Sequence, residues 1–179
     1  MTKILAITNQ KGGVGKTTTS VNLAASLAVA GKRVLLIDLD PQANATMGSG
    51  TNKQTVKITV YHVLLGDESI QTARIVSAQG KYDLLPANRD LAGAEVEMVD
   101  FSQREARLKA AIEPIQHEYD YILIDCPPAL NLLTLNGLCA AQAVMIPMQC
   151  EYYALEGLSD LVNTIKKVRS NFNPDLRIE

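Results

Sequence analysis

The run NQKGGVGKTTTS, residues 9–20, leaves a chain few choices of fold. It sets three glycines and two lysines between an apolar stretch, KILAIT at 3–8, and an alanine-rich one from Thr17 to Ala30. Gly12, Gly13 and Gly15 permit backbone conformations that other residues resist, and a helix starting at Thr17 turns its positive end toward them. A strand, a glycine-rich turn and a helix in that order make an anion cradle in which main-chain N–H groups converge on phosphate oxygens. The pattern approaches G-x-x-x-x-G-K-[ST], with Gly15, Lys16 and Thr17 in place and Gln10 where the first glycine is expected. The expected nucleotide-binding segment is Lys11, Gly12, Gly13, Val14, Gly15, Lys16, Thr17 and Thr18. Lys16 would neutralise β and γ phosphates, and the Thr17 hydroxyl would bind Mg2+.

Further apolar runs follow: RVLLID at 33–38, YDLLPA at 82–87, YILID at 121–125 and AVMIPM at 143–148. Hydrophobicity that is continuous rather than alternating points to strands covered on both faces, as in a parallel sheet. Helical patterns lie between them. Thr17 to Ala30 ends at Gly31, a C-cap, and its lack of charge predicts an unusually buried helix. Ser102 and Glu105 fit a capping box before Leu108, Ala111, Ile112 and Ile115. Ala154, Leu158, Leu161, Ile165 and Val168 make another apolar stripe. The expected fold is α/β: a doubly wound, mostly parallel sheet with helices on both faces and its ligand at the C-terminal ends of the strands. Pro41 to Lys57 reads as a mobile loop beside that site. NPDLRIE reads as a loop entering a strand at the end of the chain. Such a strand is normally followed by more structure, so residues 1–179 are expected to be a single domain lacking its C-terminal part.

Two of the strands end in acid. A carboxylate at the end of a buried strand is costly unless it pairs, hydrogen-bonds or serves a cation. Asp38 and Asp125 are therefore expected to support magnesium, both through water, and Asp40, in the loop beyond, to position the attacking water. Composition narrows the rest. Seventeen basic residues against nineteen acidic give a formal charge of −2, so nucleic-acid binding would need a local basic patch. Cys126, Cys139 and Cys150 show no metal or disulfide spacing and read as reduced residues. No stretch is long and apolar enough to span a bilayer, and no secretory signal is recognisable, which predicts a cytoplasmic protein. His62 and His117 read as structural or surface residues.

The segments KGGVGKTT, DLDPQANAT, NRDLAGAE, YDYILIDCPPAL and PMQCEYYALEGL together resemble the ParA/Soj family of chromosome and plasmid partition ATPases. This family belongs to the deviant phosphate-loop group that includes MinD. The resemblance implies ATP and Mg2+ as cofactors, and catalytic roles for Lys11, Lys16 and Asp40. Lys11 would be the signature lysine, which reaches across a two-fold interface to phosphates held by the other subunit. The resemblance also implies an ATP-dependent homodimer, non-specific DNA binding, a nucleoid-associated location, and hydrolysis stimulated by a ParB/Spo0J-like centromere-binding protein. The loops after Asp40 and Asp125 would order and disorder, with Pro127 and Pro128 stiffening the second. Family members continue past this length into the part that supplies the adenine pocket and the main DNA-binding residues. DNA binding by these residues alone is therefore expected to be weakened or absent. Lys166, Lys167 and Arg169 form the compact basic cluster that is present.

Two other functions fit a domain of this type. A MinD-like positioning ATPase would attach to membrane through an amphipathic tail, for which no segment is visible. An iron protein would need cluster cysteines in glycine-rich loops, where this chain has none.

Overall fold

The computed structural model of the chain describes residues 2–149 and 154–179, with side-chain detail from 158 onward in the second stretch. Its strands are β1 (Lys3–Ile7), β2 (Val34–Asp38), β3 (Ile75–Val76), β4 (Asp83–Leu85), β5 (Tyr121–Asp125), β6 (Ala143–Met145) and β7 (Arg177–Ile178). They form one sheet in the order β3-β4-β2-β5-β1-β6-β7. Every pairing is parallel except that of β3 with β4. The helices are α1 (Lys16–Val29), α2 (Asn44–Gly48), α3 (Val60–Leu65), α4 (Ile70–Ala73), α5 (Leu91–Glu97), α6 (Arg107–Ile112), α7 (Leu132–Ala140) and α8 (Ala154–Asn171).

Side chains alternate across a strand, and here both faces are covered. On one face Ile4, Ala6, Leu35, Ile37, Ile122 and Ile124 pack with Leu91, Leu108, Leu133 and Leu161 from the helices. On the other, Leu5, Ile7, Val34, Leu36 and Leu123 pack with Ala24 of α1 and Ala45 of α2. This is the doubly wound arrangement expected, and it explains the unbroken apolar runs. A Leu or Ile at any position of β2 or β5 gains about 1.5–3 kcal/mol by burial, whichever face it meets.

Helix ends show where local signals hold and where they yield. α1 closes as expected at Gly31: the Gly31 N–H donates to Ala28 O and the Lys32 N–H to Leu27 O, both at 3.0 Å. It is not unusually buried, however. Only Lys16, Ser20 and Ala24 of α1 are buried, and Val29 is 85% exposed. Among the described residues the helix that packs beside it on its face of the sheet is the short α2, so an uncharged surface did not mean a covered one. Ser102 is not an N-cap. The chain there makes a 3-10 turn at Arg104–Ala106, entered at Gln103, and α6 starts only at Arg107. The cap comes from a distant residue: Asn136 Oδ1, on α7, accepts from the Leu108 N–H at 3.1 Å, while Asn136 Nδ2 donates to Arg104 O at 2.9 Å and Leu132 O at 3.0 Å. The apolar positions of that segment are nonetheless core, with Leu108, Ile112 and Ile115 buried. Likewise Leu161, Ile165 and Val168 of α8 are buried. The side chain of Ala154, and Cys150, lie outside the described residues.

Pro41 to Lys57 is part helix rather than wholly loop, because α2 occupies its middle with Ala45 and Thr46 buried. α8 is joined to β6 and β7, which run parallel, so its C-terminal end returns to the rim opposite the strand ends that carry Asp38 and Asp125. α7 packs closely on the sheet at Gly137, where a Cβ would meet Cys126 Sγ at 2.7 Å. Gly137→Ala is accordingly expected to destabilise the fold by about 1–3 kcal/mol through overpacking. Urea unfolding measures this, and an unchanged midpoint would show that α7 can withdraw from β5 without cost.

Candidate functional site

The site is built where β1, β2 and β5 end side by side. β5 lies between the other two, and the pairing sets Asp125 level with Asp38 on one side and with Ile7 on the other. The phosphate loop leaves β1 at this level and enters α1 through Gly15, whose φ of 90° a side chain would resist. A Cβ at Gly12, Gly13 or Gly15 would meet nothing within 4 Å, so the inner surface of the loop is open main chain.

Asp125 is 1% exposed, and both its oxygens are held by α1. Thr17 Oγ1 donates to Oδ2 at 2.8 Å and Ser20 Oγ to Oδ1 at 2.7 Å. Burial pushes its pKa up to about 6, the charge of Asp40 adds to this, and the two hydroxyls and Lys16 oppose it. Thr17 and Asp125, expected to share a magnesium ion, are thus in direct contact. Asp38 is fully buried and its carboxylate is turned into the loop that follows. Its Oδ2 accepts from the Thr46 N–H and Oγ1, both at 2.7 Å, and its Oδ1 from the Asp40 N–H at 3.1 Å. Burial, then repulsion from Asp125, raises its pKa to about 7. Thr46 Oγ1 in turn accepts from the Ala87 N–H at 2.9 Å, tying the loop to the end of β4. Between these anchors Ala43 is held at φ 54°, a strained conformation that persists because the bonds around it over-determine it. Asp40 is half-buried, and its Oδ1 accepts from the Gln42 N–H at 2.9 Å, so it starts the turn as well as facing the site.

Lys16 is 8% exposed, and its Nζ donates to Lys11 O at 3.1 Å. Burial lowers its pKa, while Asp125 and Asp40 pull the other way. A buried ammonium with a carbonyl as its hydrogen-bond partner, beside open loop main chain, fits a phosphate well. Lys11 lies on the same loop, half-buried, and Val14 is buried. Thr18 is exposed. Among the described residues, no three His, Cys, Asp or Glu side chains converge to hold a metal. Magnesium here would therefore take much of its shell from water and phosphate, as that ion usually does, with Thr17 as the protein hydroxyl.

Three residues of the site carry no mark in the usual motif. Ser20 stands three residues after Thr17, on the same helix face, so helical spacing could have found it. Asn9, 5% exposed, has its Oδ1 accepting from the Lys11 N–H at 3.0 Å and its Nδ2 donating to Pro147 O at 2.8 Å. The first contact is a local turn that Asn commonly makes; the second is readable only in three dimensions. Thr46 gives no sequence signal. Lys166, Lys167 and Arg169 are exposed near the far end of α8 and are not part of this site. Cys126 and Cys139 are free thiols in the core, where burial raises the pKa of each. His62 Nδ1 accepts from the Thr59 N–H at 3.2 Å, a structural role, and His117 is exposed.

Because both carboxyls are raised above the ordinary 3.8, protons bind them more tightly in the folded chain than in the unfolded one. Their contribution to stability is full below that value and is lost as pH rises through about 6 and 7. In nucleotide-free, magnesium-free buffer, the stability of the wild type relative to Asp38→Asn should fall as pH rises from 3.8 to about 7 and level off beyond. Thermal unfolding of both proteins across that window measures the difference, and a flat difference would refute the assignment.

A family model described as an AAA domain matches residues 2–178. The sporulation initiation inhibitor protein Soj of Bacillus subtilis is 56% identical over 179 residues, covering all of this chain and 71% of Soj. The chromosome partitioning protein ParA of Myxococcus xanthus is 55% identical over 177 residues, covering 99% of this chain and 62% of ParA. Among solved structures, a Mycobacterium smegmatis protein named cobyrinic acid a,c-diamide synthase, with bound ADP and magnesium, superposes with a TM-score of 0.96. It is 46% identical, and the match covers 99% of this chain and 72% of that one. Among the described residues no helix is long and apolar enough to cross a membrane. With the family match running through nearly the whole sequence, the chain belongs to the AAA-domain P-loop ATPase family, among its Soj and ParA relatives.

Proposed function

We propose that the chain is the core of a Mg-ATP-dependent dimerising switch of ParA/Soj type, acting in chromosome or plasmid partition. The observation that carries this reading is the join between the phosphate loop and the acidic strand end, where Thr17 and Ser20 grip Asp125 and Lys16 lies buried against Lys11 O. Bound Mg-ATP would supply the γ-phosphate and the cation that offsets its charge. Lys16 would offer its N–H donors to phosphate oxygens, and Thr17 would hold the metal through its hydroxyl. Asp125 would support that metal through water, and Asp38, whose oxygens are taken up by Thr46 and the Asp40 N–H, would do so only with those bonds loosened. Asp40 orients the attacking water and accepts its proton.

Lys11 acts in trans: its ammonium offsets phosphate charge in the other subunit and so links dimerisation to the γ-phosphate. The ATP dimer binds DNA without sequence preference and in a salt-sensitive way, and a ParB/Spo0J-like partner stimulates hydrolysis.

The name of the M. smegmatis protein favours a second reading, ATP-driven amide formation. The higher identity of Soj and ParA supports the partition reading over it. Turnover that depends on DNA and partner protein, rather than on a carboxylic acid and an amide-nitrogen donor, would separate the two.

Lys16→Ala is expected to lose most Mg-ATP binding, which titration calorimetry reads directly; unchanged affinity would remove Lys16 from the cradle. Asp40→Ala should bind Mg-ATP yet turn it over slowly. Its molar mass in solution should therefore be that of a dimer with Mg-ATP and of a monomer with Mg-ADP. A monomer under both conditions, with ATP bound, would count against the switch.

A further inference from the structure

Among the described residues, the end of β6 and the segment after it touch the chain between β1 and α1 at three points. The Thr8 N–H donates to Met145 O at 3.1 Å, Asn9 Nδ2 to Pro147 O at 2.8 Å, and Gln149 Nε2 to Gly13 O at 3.5 Å. The first merely extends the pairing of β1 with β6, and the third is long and exposed. The second is short and made by a buried side chain whose other polar atom holds the Lys11 N–H.

Lys11 is thereby pinned by both ends of its main chain, its N–H by Asn9 Oδ1 and its carbonyl by Lys16 Nζ. The two bonds differ in kind. The Lys16 ammonium has three N–H donors to share between this carbonyl and phosphate oxygens, whereas Asn9 gives both its polar atoms to protein main chain. Asn9 therefore holds the backbone from which the Lys11 side chain springs through a bond that phosphate does not compete for. The same side chain fixes Pro147 O, 138 residues away in sequence.

We propose that Asn9 is a positioning residue that makes the phosphate loop and the segment from Ile146 to Gln149 move as one unit. Given the nucleotide reading above, on which this rests, phosphates in the loop set the position of Lys11 and of the segment leading toward α8 together. Pro147 suits the relay: it has no N–H to offer, and its restricted φ makes the segment stiff. No other side chain among the described residues bonds both partners.

Hydrogen exchange tests the coupling, with Asn9→Asp as the informative variant. The aspartate keeps an oxygen for the Lys11 N–H but presents a second oxygen, not an amide, to Pro147 O. In the wild type, Mg-ATP should slow amide exchange both in residues 9–19 and in the 145–149 segment. In Asn9→Asp the slowing of 9–19 should persist, while that of 145–149 should fall by about tenfold, the worth of one buried hydrogen bond. Gln149→Ala, which removes the long outer contact, should behave as wild type, and Asn9→Ser serves in place of Asn9→Asp if the charge prevents folding. A merely structural role would alter exchange in the nucleotide-free protein and leave the response to Mg-ATP unchanged. Full nucleotide-dependent slowing of 145–149 in the Asn9 variants would overturn the proposal, as would a wild type that protects 9–19 alone. No slowing in either segment of the wild type would instead overturn the nucleotide reading itself.

Discussion

The C-terminal rim of this sheet is organised by one buried carboxylate, Asp125. Its charge is expensive to hold away from water, and two hydroxyls on a single face of α1 make it tolerable. Those bonds fix how α1 sits over β5, and α1 in turn fixes the glycine loop that feeds it. Asp38, level with Asp125 on the neighbouring strand, does the same for the opposite loop by holding Thr46. The rim is therefore two anionic anchors, each stapling a mobile-looking segment of polar sequence into a defined shape. Both retain elevated proton affinity, which follows from their burial.

Much of this was legible because burial on both faces writes itself into composition. The five main strands read correctly, since a strand covered on both sides has no polar positions to confuse the pattern. The acidic ends stood out for the same reason, as single charges closing apolar runs. What was not legible depended on distance. The two-residue β3 is too short to show a pattern, and its antiparallel direction is set by the turn before β4. Ser102 looked like a cap, but Asn136 supplies the real acceptor from another helix. α2 was hidden because its stability comes from Asp38, not from helix propensity.

At the site, motif reading names the residues expected to touch phosphate and metal. It passed over the residues that hold those in place. Lys16, Thr17 and Asp125 converge as expected, and Ser20, Thr46 and Asn9 are the supports. A support has no required spacing from what it supports, so local pattern reveals it only by chance, as at Ser20. The uncharged surface of α1 misled for a related reason: absence of charge constrains what a surface may contact, not whether something contacts it.

The parity of the strands carries one more consequence. Leu36 and Asp38, like Leu123 and Asp125, differ by two positions and so share the α1 side of the sheet. Inserting or deleting one residue within β5 would turn Asp125 toward the opposite core, behind a wall of Ile and Leu, and bring an apolar side chain under Thr17. The chain can thus absorb length changes in its crossovers, whereas within three central strands even a conservative frame slip would exchange the site for the core. Selection on such a rim acts on counting as much as on chemistry.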